Sequence, residues 1–215
     1  DVDQFLAPRL RDLLPDPRSL KDMELAAGRF LSAVNLRERI AIFADYDVDG
    51  GASAALLITW LRDMGHRATL YIPDRIDEGY GPNDDAMGAE DLPPAQAVVN
   101  PNRQDETGDL AHLCAAAVGF LMLVELGRQL RVKGTAGPDL MSLLDLVALA
   151  TVADVAPLIG VNRAFVRQGL RVMARRARPG IAALSDVARM DTAPTSYHLG
   201  FLLGPRVNAG GRIGA

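Results

Sequence analysis

Two kinds of apolar pattern alternate along this chain. Short apolar runs, "RIAIFA" (39–44), "ATLYIP" (68–73) and "AQAVVN" (95–100), have the length of strands and predict buried ones. Between the first two, "GASAALLITWLRDMG" (51–65) predicts a helix that begins near Ala52 and ends at Gly65. Strand, helix, strand is a βαβ unit, so the sheet is expected to be parallel. Elsewhere apolar residues recur at helical spacing. Residues 3–35 predict helices broken at Pro15-Asp16-Pro17, with Ser19 as a cap candidate before Leu20, Met23, Leu25, Ala26 and Phe30. Further helices are expected over about 109–132, 138–152, 161–176 and 195–203, with a loop at 133–139. There is no internal repeat.

One stretch breaks this rhythm by being short. A βαβ unit takes about 30 residues or more. Only Gly88-Ala89-Glu90 and their neighbours separate a helix start expected near Asn83 from the turn at Pro93-Pro94, and no apolar strand fits there.

Composition narrows the class. The 215 residues suit one large domain, or one domain with a helical appendage. With 49% apolar residues a sizeable core can form, and a net charge of −4 gives no global support to nucleic-acid binding, so any such site must be local. Aromatics at 5% make no stacking platform evident. The single cysteine, Cys114, excludes an intrachain disulfide and points to a reducing compartment. It reads as a small buried residue rather than a nucleophile. The opening "DVDQFLAPRL" lacks the pattern of a signal peptide, and no apolar run reaches the roughly 18 residues of a membrane span.

The chemistry concentrates in "DYDVDGG", where Asp45, Asp47 and Asp49 follow the first strand. Carboxylates this close raise one another's pKa unless a cation or donor groups offset them. A calcium loop of the EF-hand kind matches through Gly50, then fails, because its twelfth position is Leu56 and not glutamate. Helix capping explains one aspartate but not three. A metal site explains all three: in open parallel sheets ligands bind beyond the carboxyl ends of strands, and carboxylates suit Mg²⁺ or Mn²⁺. Asp154, alone within the apolar "ALATVADVAPLIG", is either a fourth member or a helix-end residue bonded to backbone amides. Among basic residues, Arg163, Arg167, Arg171 and Arg175 share one helix face, extended by Arg176 and Arg178; this is a solvated face or a phosphate-tracking stripe. "GPRVNAGGRIG" offers Arg206, Asn208 and Arg212 beside glycines that permit close backbone approach, or else a capped helix end.

Five segments in order carry a family likeness: "IAIFADYDVDGGASAALLITWLRDMG", "YIPDRIDEGYGPN", "LPPAQAVVNPNR", "LLDLVALATVADVAPLIGVNRAFVRQGL" and "LGFLLGPRVNAGGRIG"; "LLPDPRSLKDMELAAGRF" before them resembles the lead-in. Together they resemble the RecJ single-stranded-DNA exonucleases of the DHH phosphoesterase superfamily. The resemblance implies an α/β fold with a parallel-sheet DHH core at 37–157. Helices at 1–36 would precede it, and a helical connector at 158–215 would lead to a second domain. It implies a cytoplasmic 5′-to-3′ exodeoxyribonuclease of recombination and repair that acts on single-stranded DNA with two Mn²⁺ or Mg²⁺ ions. Asp47, Asp49 and Asp154 would be catalytic, and with Asp45 would form the metal ligand set. Arg206, Asn208, Arg212 and Arg75 would touch DNA or its 5′-phosphate.

The chain departs from that pattern. The family's second-motif aspartate and its Asp-His-His motif are absent, and His66, His112 and His198 stand isolated. Both motifs would fall between Met87 and Asp91. The expectation is that residues of the working protein are missing from this sequence, because a true deletion would leave strand backbone groups unpaired. Two alternatives remain: a non-catalytic DHH-like DNA-binding or scaffold protein, and a DHH phosphodiesterase for very short oligonucleotides or cyclic dinucleotides.

Overall fold

The computed structural model describes residues 5–73 and 94–210. The short stretch around Gly88, Arg75 and Arg212 lie outside the described residues.

The chain begins with a helical turn α1 (Leu10–Leu13) and a 3-10 turn at Pro17–Ser19, then enters α2 (Met23–Asn35). Met23, Ala27, Leu31 and Val34 form its buried face. Ser19 does not cap α2. Its hydroxyl donates to the Asp16 carbonyl, and Asp16 caps the 3-10 turn, while α2 starts after Asp22 in a left-handed conformation. Strand β1 (Ile40–Phe43), helix α3 (Val48–Asp63) and strand β2 (Ala68–Tyr71) form the expected βαβ unit, with parallel register from Ile40 opposite Ala68 to Phe43 opposite Tyr71. Helix α3 starts three or four residues earlier than its apolar spacing indicated, because Asp47 caps it and the two aspartates that read as loop lead into its first turn.

The predicted strand at 95–100 does not form. The Val98 amide donates to the Asp22 carboxylate and the Val98 carbonyl accepts from Arg103, so side chains take the backbone groups a ladder would use. Five helical elements follow: α4 (Ala115–Val132), α5 (Leu144–Ala153) after a 3-10 turn at Met141–Leu143, α6 (Gly160–Met173), α7 (Pro179–Val187), and a π-helix at His198–Leu203 that runs into α8 (Gly204–Gly210). Sequence periodicity missed α7, although Pro179 at its first position is a helix-start signal.

One core runs through these elements. Leu144 to Thr151 of α5 are all buried. That helix packs against α3, α4 and α6. Trp60, Phe120 and Phe165 are the largest fully buried side chains, the last two edge-on at 5.4 Å. Among the described residues no helix is long and apolar enough to cross a membrane.

Candidate metal centre and its basic border

The turn after β1 is built around Gly50. A Cβ there would lie 2.5 Å from the Asp45 carbonyl oxygen and 2.8 Å from the Asp45 nitrogen, so only glycine lets α3 start against that turn. The Asp47 carboxylate accepts from the Gly50 amide at 2.7 Å as the N-cap of α3. Asp45 accepts from the Tyr46 amide at 2.7 Å.

Asp49 does something else. It is 9% exposed, and its two oxygens accept from the Ala115 and Ala116 amides at 2.7 and 2.8 Å, at the start of α4. It thus satisfies two of the amides a helix start leaves open. Burial raises the Asp49 pKa all the same, the two amide bonds oppose the rise, and the charge of Asp47 adds to it. Asp154 ends α5. Its surface is exposed, yet packed atoms beneath it reduce its hydration, and with the charges of Asp49 and Asp47 they push its carboxyl up to about 6. Asp154, more than 100 residues on in the sequence, therefore feels the charges of Asp47 and Asp49. Among the described residues Asp154 has no side-chain partner, and none of the four aspartates pairs with an arginine or lysine.

These carboxylates are hard oxygen donors with no counter-charge among the described residues, which fits a divalent cation. The set is partial. Among the described residues no group of three or more His, Cys, Asp or Glu side chains could by itself hold a metal ion. His66 and His112 bond to the carbonyls of Arg67 and Asp109, and His198 to Thr195. Cys114, buried at the start of α4, has its thiol pushed up to about 12 by burial and by the charge of Asp49, which makes it a poor nucleophile.

The border nearest the aspartates comes from α8. The Asn208 side-chain oxygen accepts from the Val48 amide at 3.0 Å, tying α8 to the first turn of α3 between Asp47 and Asp49. Arg206 is exposed and folds one nitrogen back onto the Leu202 carbonyl at 2.7 Å. Before it, Tyr197 and Phe201 stack at 5.1 Å and are 60% and 69% exposed. Composition concealed this pair, because a stacking surface needs only two rings in the right place.

The six-arginine stripe is not one surface. Arg163 and Arg167 donate to the Phe5 and Pro8 carbonyls. Arg176 holds Asp186, and Arg178 grips the buried Asp145 through two bonds of 2.8 and 2.9 Å.

No family model matches the chain. It is 36% identical over 260 aligned residues to the single-stranded-DNA-specific exonuclease RecJ of Dickeya dadantii, covering 98% of this chain and 45% of the relative. The RecJ of Escherichia coli is 33% identical with the same two coverages. The chain thus spans less than half the length of these relatives. The alignments are longer than its 215 residues, so the relatives carry residues inside the shared span that this chain lacks. Among solved structures, exonuclease RecJ bound to manganese matches at a TM-score of 0.77 and 27% identity, over 91% of this chain and 58% of that one. RecJ of Thermus thermophilus in complex with Mg²⁺ matches at 0.73 and 29%, over 98% and 32%. In sequence and in fold, along nearly its whole length, the chain resembles the RecJ single-stranded-DNA-specific exonucleases.

Proposed function

We propose that this chain is the catalytic-core portion of a RecJ-type exodeoxyribonuclease with a DHH phosphoesterase core, degrading single-stranded DNA from its 5′ end with Mn²⁺ or Mg²⁺ in the cytoplasm. The observation that carries the reading is that the carboxyls of Asp49 and Asp154, both raised by burial and by neighbouring aspartate charge, have no cationic side chain as partner among the described residues. Asp45, Asp47, Asp49 and Asp154 are the residues that would hold the ions. When bound, such ions supply charge neutralisation at a phosphate and lower the pKa of water. The protein's own part is positioning. Two backbone amides fix the Asp49 carboxylate, Asp154 is free to turn, and Asn208 keeps α8 beside them. Arg206 and the Tyr197–Phe201 stack suit a phosphate and its base; Arg75 and Arg212 are further candidates for DNA contact. The helices at 1–36 and 158–215 would flank the core at 37–157.

One observation favours a non-catalytic DNA-binding role instead. Among the described residues the carboxylates lack the further ligands a complete two-metal site needs.

Asp154→Asn separates the two readings better than Asp49→Asn, because an amide at Asp49 would turn a donor toward the Ala115 or Ala116 amide and weaken the fold. Asp154→Asn is expected to remove Mn²⁺-dependent cleavage from the active form while leaving single-strand binding intact. It should also abolish the rise in melting temperature that Mn²⁺ gives the parent chain. Unchanged nuclease activity and an unchanged Mn²⁺-induced shift would rule out Asp154 as a ligand.

A further inference from the structure

Four arginines, Arg9, Arg11, Arg167 and Arg171, line a single cavity of about 450 Å³ between the N-terminal segment and the second half of α6. The segment is fastened there by two other contacts of α6. Arg167 donates to the Pro8 carbonyl at 3.1 Å. Arg163 donates to the Phe5 carbonyl at 2.8 Å, with its guanidinium 3.9 Å over the Phe5 ring. Both contacts neutralise no charge. Arg11 has a loose pairing with Asp12 at 3.3 Å, with both side chains exposed. Arg9 and Arg171 have no hydrogen-bond or ion-pair partner among the described residues. Among the described residues no carboxylate lines the cavity.

Gathering four like charges around one hollow is unfavourable unless an anion joins them. Guanidinium groups grip phosphate oxygens two at a time, which selects phosphate over a simple halide. We propose that this cavity is a phosphate-binding site, taking either a free nucleotide phosphate or a phosphodiester of single-stranded nucleic acid. It is separate from the aspartates. Helix α6 starts at Gly160, shortly after Asp154. Arg167 and Arg171 lie roughly 10 and 16 Å along the helix from that start, at about 1.5 Å per residue. The site therefore stands whether or not the aspartates bind metal.

The test uses the metal-free chain in EDTA, so the aspartates contribute no metal-mediated binding. Three probes are titrated by calorimetry: inorganic phosphate, a deoxynucleoside 5′-monophosphate, and a single strand of about eight nucleotides without a terminal phosphate. Arg9→Gln/Arg171→Gln is compared with Arg131→Gln/Lys133→Gln, which removes two positive charges outside the cavity. Neither Arg9 nor Arg171 holds another residue and their removal relieves repulsion, so the cavity variant is expected to melt at or slightly above the parent. It should lose about tenfold or more in affinity, with the oligonucleotide salt slope flattened by about 1.4, while the control changes little. Loss confined to phosphate and monophosphate identifies a free-phosphate site; loss confined to the oligonucleotide identifies a phosphodiester site. Equal losses in both variants, or no binding of any probe, would overturn the proposal.

Discussion

Asp49 and Glu125 are both carboxylates taken out of water, and they are held by opposite means. Asp49 has two backbone amides and no cation, and burial raises its pKa. Glu125 has a side chain with no exposed surface, and burial alone would raise it too. Bonds from Arg18 and Gln129, with the charges of Arg18 and Arg128, outweigh that and hold it below the ordinary value. The first arrangement invites an added cation; the second already has its cations, with Arg18 bonded to one oxygen and Arg128 3.5 Å from the other. Arg18→Ala is accordingly expected to lower the melting temperature at neutral pH, because it leaves a buried carboxylate with only Gln129 and the more distant Arg128 beside it. A lowered folded pKa stabilises above the unfolded value of about 4.3, and that contribution is lost as pH falls through the folded pKa. The stranded carboxyl in the variant protonates more readily, so the melting temperatures of parent and variant should converge as pH drops below about 4. A gap that stays constant from pH 7 to pH 3 would contradict this. Three crowded aspartates were legible in the sequence. Which of them would be buried was not, because the amides that donate to Asp49 belong to Ala115 and Ala116.

At the scale of elements, the closest approach is that of α5 and α6. A Cβ at Gly169 would collide with the Leu144 carbonyl oxygen and the Ala148 side chain, so this glycine sets the distance between the two helices. Gly169→Ala is expected to cost about 1–3 kcal/mol by forcing them apart. Because α5 ends in Asp154, the variant should also weaken any Mn²⁺-induced stabilisation. A melting temperature equal to the parent's would mean that the pair adapts without cost. Periodicity identified both helices but not this contact, since a glycine inside a helical pattern looks only like a weak helix former. The same limit applied to the arginines of α6 and beyond. Their spacing put them on one face, yet where that face meets the chain's own carbonyls and carboxylates depends on other segments. The run at 95–100 has the apolar character of a strand, but Asp22 and Arg103 take the amide and carbonyl of Val98 at its centre.

The whole molecule carries a sheet of two strands among the described residues. Phe43, Leu70, Tyr71 and Ile72 are exposed on or beside it, with Phe43 and Tyr71 stacked at 5.6 Å. Parallel sheets are ordinarily covered on both faces. Bare apolar strands, the shortness of the stretch near Gly88 and relatives with extra residues inside the shared span agree with one another. The working protein is therefore expected to have an intact mass above 23.0 kDa, with the added residues falling between Met87 and Asp91. Peptide mapping by mass spectrometry across Met87 to Asp91, in the protein from its own source, decides the matter; a peptide running uninterrupted through these residues would favour the non-catalytic reading.

The sequence alone determined the βαβ order, most of the later helices and the aspartates at a strand end, because each depends on residues within a turn or two of one another; the parallel pairing followed from the helix between the strands. It also carried the family likeness, through five short segments in order. Only the tertiary structure decided that Asp49 would bind the start of α4, that Asn208 would reach Val48, that Asp154 would share a field with Asp47 and Asp49, and that Arg9 and Arg171 would line one cavity. Each of these pairings joins groups far apart along the chain. Local periodicity says which face of a helix is apolar, but what that face meets is settled only when the other segments pack against it.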